Sequence, residues 1–242
     1  HSMRPIDIMN VTGLLITDNN GDDFEQELRR KVEPRSVRTI NPTPSGYGIE
    51  HPGHAIEQTI LKIQEAVRNV EQRFGDPNVL LVGRSYGAFM TLLAAIRMEF
   101  EKVSKAILIE GPLNPDIEVR LPRHLPLFKP YDAHYKIRPT LAREAIERLK
   151  KLGTSRLVVI QGGGEDDVVP MDAQVLPGDF DTAEFSNDNF AKVNTDSRAR
   201  GLVVKLPPHT GVRGGYRNHF HWSPKKMEMI GEIIEKVALL NT

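Results

Sequence analysis

A serine flanked by glycines is the residue of this chain whose setting best suits covalent chemistry. The stretch Gly83-Arg84-Ser85-Tyr86-Gly87 has the pattern G-x-S-x-G and lies between an apolar run at 79–82 and an apolar segment at 88–100. A serine on a sharp turn from a strand into a helix needs small neighbours, which the two glycines provide. Its hydroxyl could act as a nucleophile, and the backbone N–H of Tyr86 could bind a developing oxyanion. The alternative is a serine that only tightens the turn.

A serine nucleophile needs a base, and the base needs an acid that orients it. Two further stretches contain such residues. Gly163-Gly164-Glu165-Asp166-Asp167-Val168-Val169-Pro170 follows an apolar run at 157–160, and Asn218-His219-Phe220-His221-Trp222 precedes the last helical pattern. The three stretches, in this order and with the strands around them, resemble the α/β-hydrolase superfamily, and the resemblance covers residues 11–237.

The resemblance implies a role for each stretch. Ser85 is the expected nucleophile, Asp166 the acid and His219 the base. Asp167 and His221 are the alternatives at the second and third positions, and Glu110, at the end of the strand after the serine helix, is the reserve acid. A solvent-exposed acidic turn would also explain the Glu-Asp-Asp sequence.

The residues from Ser85 onward resemble, more narrowly, the elbow of prolyl-oligopeptidase-like and dienelactone-hydrolase-like enzymes. Ala88 departs from the second glycine that is common there, and the chain is too short to include a propeller domain. A second oxyanion donor is expected from the loop after the first strand, where Asn19 or Asn20 could offer a backbone N–H. A turn followed by a helix cap explains the same residues, and Asp18 facing the site would oppose an oxyanion.

The composition excludes several other chemistries. With no cysteine among 242 residues, the chain has no disulfide, thiolate zinc site, iron–sulfur cluster or thiol nucleophile. Lys and Arg number 32 and Asp and Glu number 32, so no overall charge attracts nucleic acid or an anionic membrane. The His219 and His221 pair has no third marked ligand, so we expect neither a metal nor any other cofactor.

The elements that must position these residues alternate along the chain. Apolar runs predict strands at 11–17, 36–40, 79–82, 106–109, 157–160 and 202–206. Helical spacing predicts helices that begin at Asp22 or Asp23 and that cover 54–74, 88–100, 141–152 and the segment after Ser223-Pro224. Strands separated by helices indicate an α/β protein with a doubly wound, mainly parallel sheet. The polar stretch 172–200 is expected to be loop with some helix.

We expect one domain over 4–242 and interpret residues 1–2 as a tag remnant. A proline-rich segment gives a lid-like insertion at 114–152. Its apolar and basic residues would suit an acyl chain with an anionic partner, whereas a solvated surface excursion is the alternative. Neither a signal sequence nor a bilayer-spanning run is evident, which predicts a cytoplasmic protein with no membrane span.

The expected activity is that of a serine hydrolase of the carboxylesterase or thioesterase type, acting on a small acyl substrate through an acyl-enzyme. A small peptidase or amidase and a catalytically inactive binding protein are the alternatives, because fold does not fix function. The oligomeric state is left open by the sequence.

Overall fold

The computed structural model describes residues 4–14, 18–121, 125–154, 156–162, 166, 168–186, 189–194, 199–207 and 217–240. Within these ranges the strands are β1 (Asp7–Val11), β2 (Ser36–Ile40), β3 (Val79–Arg84), β4 (Val103–Ile109), β5 (Leu157–Gln161), β6 (Asp181–Ser186), β7 (Asn189–Asn194) and β8 (Gly201–Lys205). The α-helices are α1 (Asp18–Val32), α2 (Tyr47–Glu50), α3 (Pro52–Phe74), α4 (Tyr86–Arg97), α5 (Asp132–Leu152), α6 (Arg217–Phe220) and α7 (Pro224–Ala238).

The described strands form one eight-stranded sheet in the order β2-β1-β3-β4-β5-β8-β6-β7. Each neighbouring pair runs parallel except β6 and β7, which are antiparallel. Because parallel strands need crossover connections, helices cover both faces of the sheet. The prediction of a doubly wound, mainly parallel α/β sheet is therefore confirmed.

Strand β3 shows how the two layers of the core are built. Val79 and Leu81 face one apolar cluster with α3, α4 and α5, whereas Leu80 and Val82 face a second cluster with α1 and α7. Side chains of a strand alternate between the faces of the sheet, so a continuous apolar run is what a strand buried on both faces requires. This is why the run at 79–82 could be recognised from sequence.

The first strand is not where the apolar residues predicted it. β1 covers Asp7–Val11, and the predicted strand at 11–17 begins only where β1 ends. The strand was missed because its first residue, Asp7, is polar and therefore not expected in a buried strand. Asp7 is fully buried, and its carboxylate accepts hydrogen bonds from Arg35 and Ser36. Helix α1 accordingly begins at Asp18, before the predicted caps Asp22 and Asp23.

Three other boundaries also differ from the predictions. The serine helix α4 covers Tyr86–Arg97 rather than 88–100. Helix α5 begins at Asp132, nine residues before the predicted start, and contains Pro139. The stretch 172–200 contains β6 and β7 rather than mainly loop, because Ala183 and Phe185 alternate with polar residues and only those two apolar side chains of β6 are buried.

The segment predicted as a lid-like insertion, 114–152, has two parts in the structure. Its first part runs beside the loop after β5, where the N–H of Arg120 donates to the carbonyl of Val168. Its second part is α5, which buries Ala142, Ala145 and Leu149 in the core cluster of α3 and α4. Of the segment 114–152, it is therefore the part before α5 that lies next to the carboxyl ends of the strands.

Candidate active site

Ser85 lies on a sharp turn between β3 and α4. Its backbone φ and ψ angles are 57° and −126°, a conformation that residues other than glycine rarely adopt. A Cβ on Gly87 would lie 2.8 Å from the Thr12 carbonyl carbon, and one on Gly83 would lie 2.7 Å from the Ala88 Cα. The turn therefore needs glycine on both sides of the serine, as the sequence pattern predicted.

His219, in the short helix α6, is the base nearest to this serine. Its Nε2 is hydrogen-bonded to Ser85 Oγ, and its Nδ1 lies 2.6 Å from Asp166 Oδ2. A carboxylate can only accept, so Nδ1 carries the proton and Nε2 accepts from the serine hydroxyl. The side chains of His219 and Asp166 are 1% and 4% exposed, so both groups are buried.

Asp166 is oriented by the backbone that follows it. The N–H groups of Val168 and Val169 both donate to its Oδ1 at 2.9 Å, which leaves Oδ2 for the imidazole. Burial acts to raise the pKa of Asp166, but His219 and these backbone donors outweigh burial and hold the pKa below its ordinary value. The carboxylate is therefore ionised and fixed in place.

The two predicted oxyanion donors both lie at helix starts. Tyr86 is the first residue of α4, so its N–H has no acceptor within the helix and can meet an anion beside Ser85. Asn19 lies in the first turn of α1, where backbone N–H groups are likewise free of helical acceptors. The side chain of Asn19 lies outside the described part of the chain.

The alternative site residues are distributed differently. Asp167 lies outside the described residues, and His221 is exposed. Glu110, by contrast, is buried, and one of its carboxylate oxygens, one of Asp166 and one ring nitrogen of His219 lie within 4.8 Å of one another. The structure thus brings Glu110 to the same place as Ser85, Asp166 and His219.

Three acid and imidazole groups at this separation are what a metal site would require, but their partners do not suit a cation. The Nζ of Lys226 is ion-paired with Glu110, so an ammonium already occupies that carboxylate. Both ring nitrogens of His219 are engaged by Ser85 and Asp166. Each of the three groups therefore already has a partner within the protein.

Buried cations behind the site were not found from the sequence. The Arg84 guanidinium stacks 3.6 Å from the ring centre of Trp222, and the ammonium of Lys226 is ion-paired with Glu110. Burial lowers the pKa of Arg84 to about 9, although Glu110 and Asp166 act in the opposite direction. The burial of Lys226 could have been predicted from the sequence, because its helical spacing places it on the same face of α7 as Ile230, Ile233 and Val237.

Aromatic side chains connect the site to the segment before and at the start of α5. The rings of Phe128 and Phe220 have centroids 5.2 Å apart, and Phe220 is next to His219. Tyr86 Oη lies 3.4 Å from Nδ1 of His134, whose Nε2 donates to the Gly48 carbonyl. Arg138, one of the basic residues of this segment, is buried and donates to three backbone carbonyls, so it supports the loop after β4.

None of the helices in the described ranges has the length and apolar character needed to cross a bilayer. No family model matches the sequence, and a search of curated proteins finds no match. Several solved structures are similar over nearly the whole chain. Est1E from Butyrivibrio proteoclasticus is 14% identical, with a TM-score of 0.59 over 97% of this chain and 87% of its own.

Two further structures show the same likeness. An esterase from Pyrobaculum calidifontis is 14% identical, with a TM-score of 0.59 over 98% of this chain and 78% of its own. The esterase domain of a Rhodothermus marinus protein is 14% identical, with a TM-score of 0.54 over 96% and 85%. At this identity the likeness concerns the fold. Together with the sheet order and the strand-to-helix turn at Ser85, it shows that the chain has the α/β-hydrolase fold.

Proposed function

We propose that this protein is a serine hydrolase that cleaves an ester or thioester through an acyl-enzyme. The observation that supports this best is the connected series Ser85–His219–Asp166, in which a hydroxyl, an imidazole and a buried carboxylate are joined by two hydrogen bonds. These residues are 134 and 53 positions apart in sequence, so the fold itself assembles the series. The sparsely populated backbone conformation of Ser85 also supports the proposal, because such conformations cluster at active sites.

In the proposed reaction His219 accepts the hydroxyl proton while Ser85 Oγ attacks the carbonyl carbon of the substrate. Asp166 fixes the imidazole in the tautomer that accepts at Nε2 and stabilises the imidazolium. The N–H of Tyr86 and a second N–H near the start of α1, for which Asn19 is our candidate, hold the oxyanion. His219 then protonates the leaving alcohol or thiol. In the second half of the reaction His219 takes a proton from water, the water attacks the acyl-enzyme, and the proton returns to Ser85 Oγ as the acid is released.

The substrate is proposed to be small and at least partly apolar. Phe128 and Phe220 bring aromatic surface next to His219, and we propose that the segment before α5 acts as a lid over the reacting carbonyl. The esterases among the similar structures favour an ester. A peptidase or amidase would need to activate a poorer leaving group, and an inactive binding protein would not need the connected series.

A fluorophosphonate probe tests the proposal because it reacts covalently only with activated serines. The wild-type protein should be labelled and should hydrolyse p-nitrophenyl esters, and Ser85→Ala should lose both properties while keeping the melting temperature. Ser104→Ala is the matched control, since Ser104 Oγ only donates to the Val79 carbonyl at the far end of β3. Folded wild type that is neither labelled nor active would instead support a binding protein.

A substrate panel separates the remaining classes. Matched acyl esters, thioesters and anilides of increasing chain length should show faster turnover of the ester or thioester than of the anilide. Faster turnover of the anilide would identify an amidase and contradict the proposed substrate class.

A further inference from the structure

Glu110 is a second buried carboxylate beside the imidazole, and the mechanism described above does not use it. It follows β4 directly and has a positive φ of 49°, with its N–H donating to the Ile160 carbonyl of the neighbouring strand. Gly162 leaves room for it, since a Cβ there would lie 3.3 Å from the Glu110 carboxyl carbon. The backbone therefore turns the side chain inward, where it is 1% exposed.

The groups that face Glu110 come from four separate elements. Lys226 of α7 forms the ion pair, and Arg84 at the end of β3 adds a second positive charge. Asp166 after β5 and His219 of α6 complete the cluster. The pKa of Glu110 is raised overall, mainly by burial and also by the charge of Asp166, whereas Lys226 and His219 act to lower it.

Stability alone is a poor explanation for this pair. Removing a carboxylate and an ammonium from water is costly, and replacing a buried ion pair by apolar residues is often neutral or stabilising. The indole of Trp222, whose ring centre lies 5.6 Å from Lys226 Nζ, belongs to the apolar cluster of α1 and α7 together with Phe24 and Ile230. A Glu and Lys pair in such a layer therefore calls for a role in the chemistry beside it.

The charge change during the proposed reaction supplies that role. When His219 takes the serine proton, a positive charge forms on a buried side chain, where charges a few ångströms apart interact more strongly than in water. Asp166 meets this charge at one ring nitrogen. One carboxylate oxygen of Glu110 lies within 4.8 Å of a ring nitrogen of His219, so Glu110, ion-paired with Lys226, adds a second negative charge.

We propose that Glu110, held by Lys226, is a positioning residue that acts through His219 and stabilises its protonated form alongside Asp166. This inference rests on the proposed function and extends it to a second carboxylate. Its consequence is that the acid limb of the pH–rate profile depends on the charge at position 110.

The first experiment measures ester hydrolysis against pH for wild type, Glu110→Gln and Glu110→Asp. His219 must be neutral to accept the proton, and loss of the nearby negative charge makes the imidazolium less favourable. The acid limb of Glu110→Gln should therefore move to lower pH by about one unit or more, with a lower plateau rate. Glu110→Asp keeps the charge, so its acid limb should lie closer to that of wild type. An acid limb at the wild-type pH in folded Glu110→Gln overturns the proposal.

The second experiment removes the carboxylate of Glu110 together with its ion-paired ammonium, so it remains decisive if Glu110→Gln does not fold. The loss of kcat on Asp166→Asn is measured in wild type and in the double variant Glu110→Gln/Lys226→Met. The two carboxylates act on one imidazole, and the effects of substitutions at such neighbouring residues are not additive. The loss of kcat should therefore be at least about tenfold larger in the double variant. Equal losses in the two backgrounds overturn the proposal.

Labelling of the same variants with the fluorophosphonate probe separates the two levels of inference. If wild type is not labelled, the proposed function fails and the role of Glu110 fails with it. If wild type is labelled at Ser85 but the limb is unshifted and the losses are equal, only the role of Glu110 is refuted.

Discussion

Gly87→Ala is the substitution for which the structure gives the most direct expectation. A Cβ at Gly87 would lie 2.8 Å from the Thr12 carbonyl carbon and closer still to the carbonyl oxygens of Val11 and Thr12. These atoms are backbone at the end of β1, which pairs on its two sides with β2 and β3. No rotamer change can relieve the clash, so α4 and β1 must separate by about 1 Å to restore normal contact distances.

The magnitude follows from the kind of group that must move. Overpacking of a core typically costs about 1–3 kcal/mol, and a clash with paired backbone belongs at the upper end, about 3 kcal/mol. For a domain of this size about 2–4 °C of melting temperature is lost per kcal/mol. We therefore expect the melting temperature of Gly87→Ala to be lower by about 6–12 °C.

Activity should fall further than stability implies. The N–H of Tyr86 and the hydroxyl of Ser85 both belong to the turn that must shift, and a displacement of about 1 Å can cost about 100-fold in rate. The assay is hydrolysis of a p-nitrophenyl ester at a temperature well below the melting transition, so that the folded fraction is the same in both proteins.

Gly53→Ala is the matched control for this experiment. Gly53 is exposed in the first turn of α3, and a Cβ there would meet no atom within 4 Å. Alanine is favoured over glycine in a helix by up to about 1 kcal/mol, so its melting temperature should be equal or slightly higher. A Gly87→Ala protein as stable and as active as Gly53→Ala would refute the close approach of α4 to β1.

Three further outcomes are expected from single changes. Asp166→Asn should lower kcat by about 10⁴-fold, since an amide no longer enforces the accepting tautomer of His219; a loss below about tenfold would argue against Asp166 as the orienting acid. The pKa of Asp166 is depressed in the folded protein, so its stabilisation is present above the unfolded value near pH 4 and lost as the pH falls through the folded value. The difference in unfolding free energy between wild type and Asp166→Asn, from urea titrations, should accordingly shrink below about pH 4. Ser223→Ala removes the acceptor for the Lys226 N–H at the start of α7 and should cost about 1 kcal/mol by the same measurement.

Local signals in the sequence predicted the parts of the fold that local physics determines. The run at 79–82 is apolar because both faces of β3 are buried, and Ser223-Pro224 opens α7 with a side-chain cap and a proline in the first turn. Gly75 ends α3 with a positive φ of 82°, which a glycine adopts without strain. Each of these features can be read within a few residues.

The wrong predictions of where β1 and α5 begin share a different physical cause. Asp7 is a strand residue whose burial depends on Arg35 and Ser36, about 28 positions away, so nothing near Asp7 marks it as core. Pro139 suggested irregular chain, yet α5 continues through it because the helix packs on α3 and α4. Tertiary contacts outweighed local preference in both cases.

The candidate site shows why a fold of this kind makes long-range chemistry partly predictable. Ser85, Glu110, Asp166 and His219 follow β3, β4, β5 and β8 in the chain, and the sheet places these strands side by side in that order. The carboxyl ends of adjacent parallel strands lie at one edge, so residues just beyond them converge whatever their separation in sequence. The sequence could therefore suggest which loops meet, because a loop after a strand is locally recognisable.

The sequence could not suggest that Lys226 meets Glu110, because that contact depends on how α7 crosses the sheet behind the edge. The ammonium thus entered the site only when the helix layer was in place, whereas Glu110 was already a candidate from its position after β4. The role of the Glu110 and Lys226 pair is therefore proposed from the structure and tested by the pH dependence of the rate.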